Sequence, residues 1–415
     1  LKFILKHKNY LITFSIEFII LILGFLVYRI ANQNMTEHGF SEYTLSRRGV
    51  SFLLPLFMIG LGVAVPRYTS IYPKHNSFFT TGLTLITLAC FVFISIILFQ
   101  QEYFATLFFG DQKYSNYIFP LVLLLFGYCI HAILYGFLRG KHNVYFSNIL
   151  QLINRGLLPI AVVLYTNNII TLLYVNGLIL IFNCFILSFF ILKKYPVSLK
   201  LNKFIVDTKT LLTYGLPRVL GDFSLLILLT APTYLILYLQ NDILISGDVA
   251  YSITLLNLIA AAFGPLGLVL LPEIAHFMSQ KRIDLIKKRF YIFISISMVL
   301  TVIGYAIYYY FSNQILTLLL GNNFRTSINN LSHIILIGCF GYTLYIILRS
   351  FLDAIKVKAT NAFNLIITLL VYSIMVGYNY NTNGSVEEYL YSFAISINIL
   401  GLLTLLQTFR AIKKL

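Results

Sequence analysis

Tryptophan is absent from the chain, and charge is scarce: 11% of its 415 residues are Asp, Glu, Lys or Arg, against about 25% in a soluble globular domain. So little charge excludes a soluble enzyme, a disordered chain and a nucleic-acid binder. Acidic residues are the scarcest, 14 against 30 Lys and Arg, which leaves a net charge of +16. Cysteine is limited to Cys90, Cys129, Cys184 and Cys339, each inside an apolar run. A thiol in that setting is a small core hydrophobe, so neither a disulfide framework nor a metal site follows. The chain has no phosphate-binding loop and no glycine-rich dinucleotide turn. Neither ATP-driven transport by this chain alone nor a cofactor is therefore expected. Strand alternation is also missing, which excludes a β-barrel.

What the sequence does have is long apolar runs, with 59% hydrophobic residues. A bilayer core of about 30 Å takes about 20 apolar residues per helix. About twelve such runs follow one another, at roughly 10–30, 43–66, 77–99, 117–138, 144–166, 169–192, 210–239, 249–277, 290–311, 328–350, 358–378 and 388–409. The first is too long for a signal peptide and no small-residue cleavage site follows it. Because the chain begins at Leu1 rather than Met, the true start is expected upstream or at a non-standard codon. The longest segments between runs, 31–42, 100–116, 193–209 and 312–327, are too short to fold as domains. With the N-terminus inside, the inner segments hold 23 of the 30 Lys and Arg. Both termini are thus expected in the cytoplasm, and anionic inner-leaflet lipid is a sufficient partner for most of the positive charge.

Twelve spans with both ends inside divide into two sets of six, and an internal repeat supports that division. Leu11-Ile12-Thr13-Phe14-Ser15-Ile16 in span 1 matches Leu211-Leu212-Thr213-Tyr214-Gly215-Leu216 in span 7 by residue type. Spans 2 and 8 both end in proline, at Val65-Pro66-Arg67 and Leu271-Pro272-Glu273. The expected organisation is a six-helix bundle over 1–195, a cytoplasmic linker over 196–209 and a second six-helix bundle over 210–415. Transporters built from such repeats bind substrate near the midplane, between the halves.

Ionisable groups in hydrocarbon cost about 2.5–3.5 kcal/mol each on insertion scales and are functional candidates by default. Glu17 lies near mid-depth in span 1, with Gly24 on its face; it either carries a coupling ion or is a protonated helix-packing group. In span 7, Arg218 and Asp222 stand i, i+4 and close enough to pair, beside Gly215, Pro217 and Gly221. That stretch reads as a breakable helix holding a substrate site, or as an internal salt bridge that tolerates a kink. Arg155 lies roughly 16 Å into span 5 and shares a face with Asn148 and Gln151 at i, i+3, i+7. A guanidinium suits phosphate; the alternative is helix packing. Arg47 and Arg48 open span 2, either snorkelling to headgroups or lining the mouth of a cavity. Gly60, Gly62 and Pro66 in span 2 pair with Gly264, Pro265, Gly267 and Pro272 in span 8 as candidate hinges. His131, His276 and His333 are spaced too widely for a ligand cluster.

Gly39-Phe40-Ser41-Glu42-Tyr43, Gly60-Leu61-Gly62, Leu138-Arg139-Gly140 and Tyr214-Gly215-Leu216-Pro217-Arg218, together with the span count, carry a resemblance over nearly the whole chain. It resembles the Wzx-type polysaccharide flippases of the multidrug/oligosaccharidyl-lipid/polysaccharide exporter superfamily. The resemblance implies an all-α, MATE-like membrane fold in the inner membrane. It implies an undecaprenyl-pyrophosphate-linked oligosaccharide as substrate, flipped by alternating access for surface polysaccharide synthesis, with other polysaccharide-assembly proteins as partners. It further implies a cavity lined by spans 1, 2, 7 and 8. Arg218, Arg47 and Arg48 fall on those spans as candidate head-group ligands; Arg155 does not. Energy would come from a proton or sodium gradient, with Glu17 as carrier, or from the product gradient. MATE-type drug exporters share the fold and have an acidic residue in span 1 like Glu17, so a cation-coupled multidrug exporter stays open beside the flippase. A polysaccharide polymerase would need a large outer catalytic loop that the sequence lacks.

Overall fold

The computed structural model describes residues 2–196, 201–355 and 360–415, which fold almost entirely as helix, with no strand among them. In chain order the helices are α1 (Lys2–Asn34), α2 (Glu37–Met58), α3 (Leu61–Ile71), α4 (Ser77–Phe99), α5 (Gln101–Phe109), α6 (Ser115–Gly140), α7 (Val144–Gln151), α8 (Leu158–Tyr165), α9 (Ile169–Lys194), α10 (Leu201–Gln240), α11 (Ile243–Ser279), α12 (Ile283–Leu320), α13 (Thr326–Leu336), α14 (Cys339–Ile355), α15 (Thr360–Asn381) and α16 (Val386–Lys413). A 3-10 turn, Gln112–Tyr114, leads into α6, and a π-helical turn, Leu152–Leu157, joins α7 to α8. Among the described residues ten stretches are long and apolar enough to cross a membrane; each of the bent pairs α2–α3 and α13–α14 counted as one span brings the number to twelve. This is a multi-pass membrane fold.

The helices outrun the apolar runs. The segments expected as loops at 31–42, 100–116, 193–209 and 312–327 are largely helical: α1 reaches Asn34, α5 fills 101–109, α10 starts at Leu201 and α12 continues to Leu320. Hydropathy falls where the headgroup region begins, about 30 Å of hydrocarbon inside about 40–45 Å of bilayer, whereas backbone hydrogen bonding continues through it. The ends are set by caps. The Thr36 hydroxyl accepts from the Gly39 N–H at 3.1 Å, and Asn168 accepts from the Thr171 N–H at 3.0 Å. Ser385 and Glu388 form a reciprocal capping box at the start of α16.

The chain divides into two compact units, Leu1–Phe223 and Ser224–Leu415. The division falls inside α10 rather than in the 196–209 segment, because the first part of α10 packs on the bend between α2 and α3. In the first unit α6 is the central helix, with 72% of its apolar window buried. In the second, α14 lies against α11, α12 and α16 through a cluster that includes Ile274, Phe290, Leu348, Phe351 and Ile412. Helices such as α4 and α12 bury only 22% and 17% of their apolar windows; their exposed faces carry Phe91, Phe99 and Tyr310, as lipid-facing helices do.

Two spans are broken between separate helices, and α12 is in addition kinked at Phe311, whose φ of -121° and ψ of 23° are not helical. Ile59 and Gly60 both take left-handed backbone, φ 41° and 78°, and turn α3 by 50° from α2. A β-branched residue in that region is strained by about 1–2 kcal/mol, so tertiary contacts must hold it there. The second break, of 52°, lies between α13 and α14 at Ile337-Gly338. Asn398 of α16 repairs it: its amide donates to the Ile337 carbonyl at 3.1 Å and its oxygen accepts from the Gly341 N–H at 2.8 Å. The two breaks thus fall in spans 2 and 10. α11 runs unbroken past Gly264, Pro265, Gly267 and Pro272, whereas Ile-Gly marks both observed breaks.

Candidate functional site

The bend at Gly60 exists against a partner. A Cβ on Gly60 would overlap the Gly215 carbonyl of α10, and a Cβ on Gly215 would come within 2.9 Å of the Gly60 oxygen. Only two glycines let these backbones cross so closely. The crossing brings Arg67 of α3 beside Tyr214 and Arg218 of α10. The Arg67 guanidinium donates to the Tyr214 hydroxyl at 3.1 Å and lies 4.5 Å from its ring centroid. The Arg218 guanidinium carbon is 3.6 Å from the same centroid and Arg218 donates to the Tyr214 carbonyl at 2.9 Å. Tyr68 meets the ring edge-on at 5.7 Å. Two exposed guanidinium groups thus share one tyrosine, their separation at most the sum of the two centroid distances. Among the described residues no carboxylate pairs with either. The two positives repel each other, and an anion placed between them relieves that repulsion and accepts charge-assisted hydrogen bonds.

Arg218 lies exposed on α10, against the ring and the carbonyl of Tyr214. α10 is helical through Gly215, Pro217 and Gly221. The Asp222 and Pro265 side chains lie outside the described residues, as does Lys200. The contact of Arg67 with a residue 147 positions away leaves no trace in local spacing. The i, i+4 relation of Tyr214 and Arg218 was visible, since an aromatic and a cation at that spacing share a helix face.

Arg47 and Arg48 do not open span 2; they lie about three turns inside α2, which starts at Glu37. Arg47 donates to the Tyr43 hydroxyl at 3.0 Å and stands over the rings of Tyr28 at 4.9 Å and Tyr43 at 5.8 Å. Arg48 is buried.

Arg155 lies in the π-helical turn, and its expected face is corrected. The extra residue per turn rotates it away from Asn148 and Gln151: those two are buried, whereas Arg155 is exposed. Asn148 bonds Arg139 at 3.0 Å and Thr13 at 3.2 Å. Gln151 meets His131 Nε2 at 2.9 Å, and Asn154 meets His131 Nδ1 at 3.1 Å. His131 is thus a saturated core residue. No described residue hydrogen-bonds Arg155. Glu17 is half-buried on α1, one turn beyond Thr13, which takes a hydrogen bond from Arg139 at 3.4 Å. Glu17 forms no hydrogen bond or ion pair with any described residue. Gly24 and Gly264 each face open space.

The second unit contains a buried ion pair that sequence reasoning missed. Asp248 of α11 accepts from Arg325 and from Ser327, and Arg325 also donates to the Leu244 carbonyl at 3.0 Å. It ties the start of α11 to the start of α13 and reads as structural. No group of three or more His, Cys, Asp or Glu able to hold a metal ion occurs among the described residues.

No protein-family model matches the chain, and no curated protein matches it. Solved structures do. The chain is similar to the inward-facing conformation of a multidrug resistance MATE family transporter of the MOP superfamily, at 11% identity and a TM-score of 0.73, covering 98% of each chain. It is similar to a MOP superfamily transporter from Pyrococcus furiosus described as having a binding pocket of reversed polarity that suggests a different function. That match has 13% identity and a TM-score of 0.72, over 98% of this chain and 95% of that one. It is also similar to the Vibrio cholerae MATE transporter VcmN in the bent form, at 11% identity, a TM-score of 0.60 and 98% of each chain. The chain has the fold of the MATE transporters over nearly its whole length.

Proposed function

We propose that the chain is an inner-membrane flippase that moves an undecaprenyl-pyrophosphate-linked oligosaccharide across the bilayer for surface polysaccharide synthesis. The observation that carries this reading is the Arg67–Tyr214–Arg218 cluster: two guanidinium groups on one ring with no described carboxylate. A pyrophosphate carries about two negative charges, and Arg stays protonated at every relevant pH. The cluster gives that head group bidentate donors, while the lipid tail stays in hydrocarbon and the sugar crosses with the changing access of the transporter. No bond is made or broken. Both termini are cytoplasmic in this reading, and the coupling ion, proton or sodium, is carried by Glu17.

A cation-coupled exporter of amphipathic drugs is the second reading. It is favoured by the half-buried Glu17, which no described residue neutralises, and by the multidrug transporter with the same fold. The two differ in the sign of charge they need. Arg67→Ala and Arg218→Ala, expressed in a cell whose surface polysaccharide depends on this chain, should each abolish surface polysaccharide at unchanged protein level and leave lipid-linked repeat units inside. Drug resistance conferred by the chain and retained by both variants would instead support the exporter.

A further inference from the structure

At the basic end of the first unit, α6, α7 and α9 leave a groove of about 390 Å³, within the range of about 300–1,000 Å³ typical of ligand pockets. Its walls are apolar: Leu138, Phe146, Leu187, Phe190 and Ile191. Phe146 and Phe190 are 47% and 59% exposed, so the groove opens outward beside these two rings. One end is polar. Lys193 and Lys194 close α9 there, and Asn143 stands opposite on the α6–α7 turn. Two lysines at a helix C-terminus complement the helix dipole, but the position of Lys194 calls for more than that. Its Nζ is drawn back over the groove rim, 5.6 Å from the ring of Phe146 and 5.6 Å from that of Tyr195. No carboxylate pairs with either lysine among the described residues, and the Asn143 side chain forms no hydrogen bond with any of them.

An apolar trough ending in two ammonium groups and an amide fits an amphiphile with a chain and an anionic head. We propose that this groove binds one anionic phospholipid, its acyl chain along Leu187, Phe190 and Ile191 and its phosphate held by Lys193, Lys194 and Asn143. A zwitterionic lipid would bring its own ammonium against the two lysines, so the site selects net negative charge. The groove shares no residue with the Arg67–Tyr214–Arg218 cluster, and the proposal does not rest on the transport reading.

The test uses the full chain in nanodiscs of equimolar phosphatidylglycerol and phosphatidylcholine, released for native mass spectrometry. The wild type should retain phosphatidylglycerol at least fivefold over phosphatidylcholine. The double change Lys193→Gln with Lys194→Gln should lower that retention at least fivefold, at an unchanged circular dichroism spectrum. Leu187→Trp, which fills the trough and spares both lysines, should lower it as well. Should the double variant fail to fold, the two single changes read the same ratio, each with a smaller loss. Equal retention of the two lipids by the wild type, wild-type retention after loss of the lysines, or no effect of Leu187→Trp would each overturn the proposal.

Discussion

A guanidinium inside a membrane protein is informative through what surrounds it. Arg47 is fully engaged: a phenol accepts its hydrogen bond and two rings stand beneath it. Arg47→Ala should leave the buried Tyr43 hydroxyl without this partner and destabilise the protein by about 1–3 kcal/mol, visible as a lower Tm in a detergent melt. Among the described residues Arg218 is held by one carbonyl and one ring face, and the anion-binding proposal rests on its other donors. Arg218→Lys should restore only part of the activity that Arg218→Ala removes, because an ammonium lacks the planar fork. The double change Arg218→Ala with Asp222→Ala separates binding from pairing: regained surface polysaccharide would make the pair structural, and continued inactivity in a folded protein supports anion binding. These residue identities were legible in the sequence because charges in apolar runs stand out. Their partners were not, since Arg67 meets Tyr214 across 147 residues and the π-helical turn rotates Arg155 off the face that regular helix periodicity assigns it.

At the scale of the element, glycine and proline in the sequence mark where a helix is able to break, and packing decides where it does. Pro217 has no such consequence within α10, whereas Ile59-Gly60 takes left-handed backbone because Gly215 occupies the space a side chain at Gly60 would need. Gly60→Ala should cost about 1–2 kcal/mol for the left-handed backbone alone, with the overlap on Gly215 in addition; lower Tm and lower yield of folded protein check it. Pro217→Ala should leave both unchanged. In the second unit the break at Ile337 depends on one side chain. Asn398→Leu should orphan the Ile337 carbonyl and the Gly341 N–H together, at about 1–3 kcal/mol for each group, whereas Asn398→Asp keeps an acceptor for Gly341 and should cost less. Hydropathy alone reached the span count correctly but not the helix ends, because helices persist where apolar composition stops.

For the whole molecule, the distribution of positive charge predicts both termini and the segment 278–289 on the cytoplasmic side. The native Cys90, Cys129, Cys184 and Cys339 are all buried, so single cysteines introduced in a Cys-free background report topology cleanly. In intact cells an impermeant maleimide should label position 383 and miss position 281; labelling at 281 would reverse the orientation. The all-helical architecture was legible at this scale because about 20 apolar residues per crossing is a hard physical requirement. The charge of a substrate was not, because it depends on which ionisable groups meet one another in three dimensions. The most direct test of the anion-transport claim is flipping by the purified chain in proteoliposomes, with a fluorescent undecaprenyl-pyrophosphate-linked sugar whose exposed fraction is read by dithionite quenching. The wild type should expose the inner-leaflet pool with a rate at least tenfold above that of Arg67→Ala with Arg218→Ala, and should leave a cationic dye of similar size untransported. Equal flipping by wild type and double variant, or wild-type transport of the cation but not the pyrophosphate lipid, would contradict it.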